Sequence, residues 1–438
     1  MNEMTKGLFD FIDNSPTAFQ AVEQVKEILN KEGYTELEEG KVWNVQKGGK
    51  YYTTKNNSSI IAIHVGTELE NYTFNMSASH LDSPSFKVKP KSMMKTDNTY
   101  VKLNTEAYGG AILNTWLDRP LSVAGRVMIK NGNAYEAKLV NVDKDLLIIP
   151  NVAPHMNRSI NDGFKYNMQV DMLPLMTMNT ESTDPLKDLL AQELSVEKEN
   201  ILNYDLFLYN REKGRVWGME EEFIASPRLD DLQCAYCSLM GFLKQSNEKS
   251  INICACFDNE EVGSRTRQGA ASTFLFDVLK RINTGLGFDE ERYYNAIAGS
   301  FMISADNAHA VHPNHPELSD PTNRVYMNKG IVVKFNAAQS YTSDSLSSAI
   351  FMDLCNRASV PYQVFTNRSD LRGGGTLGNI STSHVSVNTV DIGLPQLGMH
   401  SAYEVAGIKD IEYAIKAFEE LYKSHFEASG TTMITITQ

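Results

Sequence analysis

Seven residues stand out because their types suit chemistry and each lies where a predicted strand or helix begins or ends. His80 and Asp82 come just after a predicted strand over 72–77. Glu260 and Glu261 follow another, in Asp258-Asn-Glu-Glu-Val-Gly, and Asp306 follows a third, in Ile303-Ser-Ala-Asp-Asn-Ala-His. Asp230 sits in Pro227-Arg-Leu-Asp-Asp, just before a predicted helix, and His400 in Gly398-Met-His-Ser, beyond the last predicted strand. Any one of them fits a helix cap or a solvated loop equally well. Together they make a set of two imidazoles, several carboxylates and no thiolate. Nitrogen and oxygen donors suit zinc, with manganese or cobalt possible. A pair of such ions roughly 3.5–4 Å apart needs a bridging carboxylate and forms a clamp for hydrolysis. Adjacent glutamates point different ways, so the double glutamate can offer one ligand and one general base.

The surrounding pattern must bring these residues together. Asn14-Ser15-Pro16 predicts a helix start, with Ser15 as cap, Pro16 at the first position, and Phe19, Val22, Val25, Ile28 and Leu29 at helical spacing behind it. Strands are predicted over 59–65 and 72–77. From about residue 91 to 222 short alternating runs dominate, including 121–129 and 144–149, with one helix over 185–194. After Pro227 short apolar runs at 251–257, 301–304, 331–335, 362–365 and 389–392 alternate with helices at 232–243, 272–282, 345–358 and 411–423. Strands alternating with helices imply a sheet covered on both faces. The expected fold is α/β, with a mainly parallel central sheet flanked by helices and interrupted by a β-rich second domain. The boundaries are 1–90 and 225–438 for the catalytic parts and 91–224 for the insertion.

Bulk properties narrow the partners. The 438 residues exceed one ordinary core, and 42% hydrophobic with 22% charged residues is ordinary for a globular chain. A formal charge of −13 without basic stripes argues against nucleic acid and against an anionic membrane surface. It leaves an acidic substrate open, because one local cation can outweigh the global sign. No signal peptide or membrane span is expected, and five cysteines scattered through the chain fit a reducing, cytoplasmic compartment.

Several stretches in order make the sequence resemble the aspartyl aminopeptidase family of two-metal exopeptidases. They are Ser77-Ala-Ser-His-Leu-Asp-Ser-Pro, Asn114-Thr-Trp-Leu-Asp-Arg-Pro-Leu-Ser, Pro227-Arg-Leu-Asp-Asp, Asp258-Asn-Glu-Glu-Val-Gly-Ser, Ile303-Ser-Ala-Asp-Asn-Ala-His-Ala-Val-His-Pro-Asn and Met399-His-Ser. The resemblance spans nearly the whole chain. It implies that Asp230 bridges two metals, that His80 and Asp306 complete one site, and that Glu261 and His400 complete the other. It also implies Glu260 as general base, Asp82 as the carboxylate orienting His80, and a cis peptide after Asp230. Lys334, in Ile331-Val-Val-Lys-Phe-Asn, matches a position that contacts an acidic substrate side chain; otherwise it is a solvent-facing strand lysine. His155, in Asn151-Val-Ala-Pro-His-Met-Asn-Arg, matches a loop that reaches into a neighbouring subunit's site; otherwise it is an ordinary loop histidine. The second domain is implied to mediate assembly, with dimers building a tetrahedral dodecamer that acts on short or unfolded peptides.

Other eye-catching residues take plainer roles. Cys234 and Cys237 lie inside a predicted helix, and Cys254 and Cys256 on one face of a buried strand, so all four are expected to pack in the core. His309, His312 and His315 are expected to structure their loop. Gly373-Gly374-Gly375 lacks the lysine of a phosphate loop and is expected to let backbone approach substrate. Two rivals to an acidic-residue aminopeptidase remain: a related two-metal aminopeptidase of broad or neutral specificity, and a non-catalytic metal-binding scaffold, against which an intact Glu260 argues.

Overall fold

The computed structural model describes residues 2–430 and 433–437. Its centre is a nine-stranded sheet. Along the sheet the strands run Thr35–Glu36, Lys50–Lys55, Ser59–Val65, Ser250–Phe257, Thr73–His80, Phe301–Ala305, Asn388–Gly393, Ile331–Phe335 and Tyr362–Thr366. Five of the eight strand pairings are parallel. The middle strands Thr73–His80 and Ser250–Phe257 are buried at every position, as strands covered on both faces must be.

Period two divides the side chains of these strands between two cores. Phe74, Met76, Ile251, Ile253 and Met302 point toward the helices Phe274–Gly285 and Glu290–Gly299. Cys254, Cys256, Phe301 and Ile303 point to the other face, against Glu3–Asp13, Ala18–Lys31, Leu229–Lys244, Ser345–Arg357 and Ile408–Lys423. All five cysteines are buried and free.

Ser85–Thr96, Tyr100–Tyr108, Leu121–Asn131, Ala134–Asn141, Leu175–Thr177 and Ile201–Asn210 form a separate six-stranded antiparallel sheet. It has its own core, around Phe86, Leu103, Trp116, Val123 and Leu206. Gln20, on the Ala18–Lys31 helix, ties the two regions by donating to the carbonyls of Gly125 and Val140, each at 3.0 Å. A third, five-stranded sheet joins Arg215–Trp217 and Phe223–Ser226 to Glu404–Gly407, Pro395–Leu397 and Ala308–His309.

Local differences from the expected elements have physical causes. The second helix starts at Ala18 with Thr17 as its cap, not at Pro16 with Ser15. The residues from Ser15 to Thr17 are instead buried, so tertiary packing overrides a good local start signal. The preceding helix Glu3–Asp13, capped by Asn2 accepting from Thr5 N–H, was not expected. The run 144–149 is not a strand; it makes isolated bridges through Leu147 and Ile148.

Candidate metal centre

Sheet register sets the site. Phe257 lies opposite His80 across the parallel pair, so residues 258–261 leave the sheet at the same edge as His80. Ser304 lies opposite Ala78, which puts Asp306 level with His80 on its other side. This is the carboxyl edge of the parallel strands, where α/β sheets place their ligands. Asp230 arrives at the start of the Leu229–Lys244 helix, where Asp230 and Asp231 are non-helical and the peptide between them is cis. His400 lies in a tight connection between Pro395–Leu397 and Glu404–Gly407, at φ 69°.

The two oxygens of Asp230 face different partners. Oδ1 is 3.6 Å from His80 Nε2, which is 3.8 Å from Asp306 Oδ1. Oδ2 is 3.4 Å from His400 Nε2, which is 3.5 Å from Glu261 Oε2. Three groups close enough to hold an ion result: His80, Asp230 and Asp306; Asp230, Glu261 and His400; and His80, Glu260 and Glu261, of which the first two share Asp230. Ligands about 2.0–2.2 Å from a tetrahedral ion lie roughly 3.3–3.6 Å from each other, close to the 3.4–3.8 Å spacings here. Asp230 Oδ1 and Glu261 Oε1 are buried with no hydrogen-bond partner among the described residues, and buried polar atoms rarely go unsatisfied. The donor set therefore fits divalent ions.

Each imidazole is held so that Nε2 is free to bind. His80 Nδ1 lies 3.0 Å from the Asp82 carbonyl and His400 Nδ1 lies 3.1 Å from the Gly110 carbonyl. A carbonyl can only accept, so both protons sit on Nδ1. Asp82 does more than stand behind His80, whose Nδ1 is 3.5 Å from its Oδ1. It also accepts the backbone N–H groups of Glu260 and Glu261 and the hydroxyl of Tyr108, at 3.1, 3.2 and 2.7 Å.

The electrostatics show excess negative charge. Burial, reinforced by Asp306, Asp82 and Asp230, pushes the Glu260 carboxyl up to about 8. Burial and Asp230 also drive Glu261 well above the usual carboxylate range. At His80, burial opposes the charged ring, but Asp230, Asp306 and Asp82 outweigh it and raise its pKa well above normal. Crowded carboxylates contribute to all three shifts, on top of burial at the two glutamates, and divalent ions bound among them would offset that charge.

The triads open onto a cavity of about 490 Å³. Glu260 lines it beside His80 and Glu261. Lys334 lines it too. It is not a solvent-facing lysine: it is 3% exposed and donates to the Asn307 carbonyl at 2.8 Å. Burial works against its charge, but Asp306 and neighbouring groups hold its pKa above the usual lysine value. Gly374 and Gly375 form part of the wall. His309, expected only to structure its loop, also lines the cavity, as do Tyr341 and Phe365. The spacing Asp306-Asn-Ala-His309 is the only sequence signal for it; nothing in the sequence marks Tyr108, Tyr341 or Phe365. His155 is exposed in the β-rich region and does not line this cavity.

Imidazoles and carboxylates gathered at the carboxyl edge of a helix-covered sheet define a metallohydrolase. A family model described as aminopeptidase I zinc metalloprotease (M18) matches residues 11–422. A probable M18 family aminopeptidase 2 of Clostridium novyi is 51% identical over 421 residues, covering 95% of this chain and 97% of that protein. The aspartyl aminopeptidase of Dictyostelium discoideum is 37% identical over 464 residues, covering 95% and 96%. Among solved structures, the cryo-EM structure of the Ape4 and Nbr1 complex superposes with a TM-score of 0.92 at 35% identity, covering 96% of this chain and 85% of that one. The dodecamer of S. cerevisiae mApe1 gives 0.83 at 26% identity, covering 96% of each. The chain belongs to the M18 family of zinc aminopeptidases.

Proposed function

We propose that the chain is a two-metal aminopeptidase that releases acidic residues, Asp or Glu, from peptide N-termini. One observation carries the reading: the two oxygens of Asp230 face two separate triads. Asp230 would bridge, with His80 and Asp306 on one side and Glu261 and His400 on the other. Bound there, two divalent ions, zinc first and manganese or cobalt as alternatives, would polarise the scissile carbonyl and acidify a water. Glu260, which lines the cavity beside His80 and Glu261, takes the proton of the attacking water and returns it to the departing amine. Asp82 holds His80 and the Glu260–Glu261 backbone in place.

Lys334 supplies the buried cation for the first residue's carboxylate. The relative named as an aspartyl aminopeptidase supports this preference. His155 acts in a neighbouring subunit, donating to the carbonyl oxygen as charge builds on it. The protein is a homo-oligomer whose 91–224 region carries its contacts, with catalytic parts at 1–90 and 225–438. The dodecamer formed by a similar protein supports a dodecamer of dimers here. The described residues contain no helix long and apolar enough to cross a membrane, and five free cysteines favour the cytoplasm.

The test is chelation and reconstitution. Metal-free protein should hydrolyse no aminoacyl substrate, and zinc, cobalt or manganese should restore activity with two ions per chain by elemental analysis. Among Asp, Glu, Leu, Lys and Ala substrates, Asp and Glu should lead. Full activity without metal overturns the mechanism; a preference for Leu favours the neutral-specificity relative.

A further inference from the structure

Behind the cavity wall lies a chain of buried polar side chains, Glu404, Gln396 and Asn307, of which Asn307 reaches the cavity. Glu404, 2% exposed, opens the Glu404–Gly407 strand. Its Oε2 accepts the backbone N–H of Asp230 at 3.0 Å, and its Oε1 accepts that of His400 at 2.7 Å. These residues come from different elements, yet one carboxylate holds the main chain of both. Gln396 Nε2 reaches Glu404 Oε1 at 3.5 Å, and Gln396 Oε1 accepts from Asn307 Nδ2 at 2.7 Å. Asn307 directly follows Asp306. Its Nδ2 also donates to the carbonyl of Leu229, the residue before Asp230, at 3.0 Å. Its own carbonyl accepts from Lys334.

The identity of Glu404 follows from counting donors and acceptors. Two buried backbone N–H groups converge on it, and each must find an acceptor. A carboxylate offers two accepting oxygens. An amide of the same shape offers one, and turns an NH₂ group toward the second N–H. A buried carboxylate close to Asp230 is otherwise a costly choice, so its double acceptance is the reason to place one there.

We propose that Glu404 is a positioning residue that fixes Asp230 relative to His400 and thereby controls the ion on the His400–Glu261 side. Gln396 and Asn307 link Glu404 onward to the carbonyl of Leu229, just before Asp230. This rests on the two-ion reading of the site. The effect is one-sided, because His80 has its own supports: its N–H donates to Asp231 Oδ2 at 3.1 Å and its Nδ1 faces the Asp82 carbonyl. At His400, Glu404 holds the main-chain N–H, while the carbonyl accepts from Ile112 N–H at 2.9 Å.

The experiment titrates metal-free wild type, Glu404→Gln and Gln396→Leu with zinc against a competing chelator. Bound ions are counted by elemental analysis, and the melting temperature of each metal-free form is recorded. Wild type should bind two ions. Glu404→Gln should keep one ion at near wild-type affinity and bind the second roughly 10–100-fold more weakly, the range typical for losing a ligand's support. Gln396→Leu leaves both backbone bonds to Glu404 in place and should weaken the same ion by a smaller factor. One ion in wild type would defeat the two-ion reading itself. Two ions in wild type with unchanged affinities in both variants would overturn the role of Glu404 alone. Parallel weakening of both ions with a lowered metal-free melting temperature would overturn it too, reducing Glu404 to general stability. If Glu404→Gln does not fold, Gln396→Leu decides: a second ion held as tightly as in wild type overturns the proposal.

Discussion

The nine-stranded and six-stranded sheets use their irregular segments in opposite ways. Around the first, the segments that leave the carboxyl ends of the middle strands turn acidic side chains inward. Asp230 is 3% exposed and Asp306 8%, and both line one cavity, with Asp82, 5% exposed, packed behind His80. Around the second, residues 142–174 run with only isolated bridges at Leu147 and Ile148. This stretch exposes Val152, Met156 and Val170, the last two 79% and 67% exposed. A structureless segment that long in a compact domain is usually functional, and apolar side chains left in solvent suit a contact with another molecule. One region gathers the metal-site side chains inward. The other holds His155 outward.

The sharpest way to break that contrast is to remove one function from each region. Glu260→Gln in the α/β region should keep both metals and lose turnover by roughly two to four powers of ten. Loss of an ion from this variant, by elemental analysis, would make Glu260 a ligand instead. His155→Ala should lower kcat by roughly 10²–10³, as expected for one lost donor to a developing oxyanion. Mixing the two dead variants after dissociation and reassembly should rebuild about a quarter of the sites in two-fold dimers. If differential tagging shows mixed assemblies and no activity returns, His155 does not act across subunits.

The contrast also explains what was legible beforehand. Buried parallel strands write themselves as uninterrupted apolar runs, so 251–257 and 301–304 are readable to within a residue or so. The metal-site carboxylates are readable because they follow such runs. The helix Glu3–Asp13 and the start at Ala18 are not, since Ser15-Pro16 is a valid local signal that packing overrules. Lys334 alternates like a surface residue; only the return of Asn307 beneath it shows that it is buried. Tyr108 and Glu404 act through long-range hydrogen bonds, which leave no periodic trace.

Lys334 tests whether the α/β cavity alone sets specificity. Removing a buried cation that meets a substrate carboxylate typically costs 2–5 kcal/mol. Lys334→Met should therefore lower kcat/KM for Asp and Glu substrates by roughly 30-fold or more, with a smaller change for Leu. An equal loss for every substrate would mean that Lys334 supports the Asn307 backbone rather than choosing the first residue.

The smallest expected effect is on stability, and it should have opposite signs in the two regions. In the α/β region Asp410 is fully buried and accepts from Asn328 and Gly330 N–H at 2.6 and 3.0 Å. Burial outweighs those bonds and pushes its carboxyl up to about 7. The folded state then holds a proton that the unfolded chain releases near 4. Asp410 therefore costs stability as pH rises from about 4 to 7, by about 1.4 kcal/mol per unit at most. In the β-rich region Asp205 is half-exposed. Burial opposes its charge, but Lys87 and Arg126, bonded at 2.8 and 3.0 Å, hold its pKa below normal. Its contribution is present above pH 4 and lost as pH falls through its folded pKa; partial exposure keeps it near 1 kcal/mol. Melting temperatures of metal-loaded Asp410→Asn and Asp205→Asn, each referred to wild type from pH 4 to 8, separate the two. The difference for Asp410→Asn should shift in the variant's favour as pH rises, and that for Asp205→Asn should move against it. Parallel curves would mean that neither carboxylate titrates differently in the folded state, and the electrostatic contrast between the regions would fall.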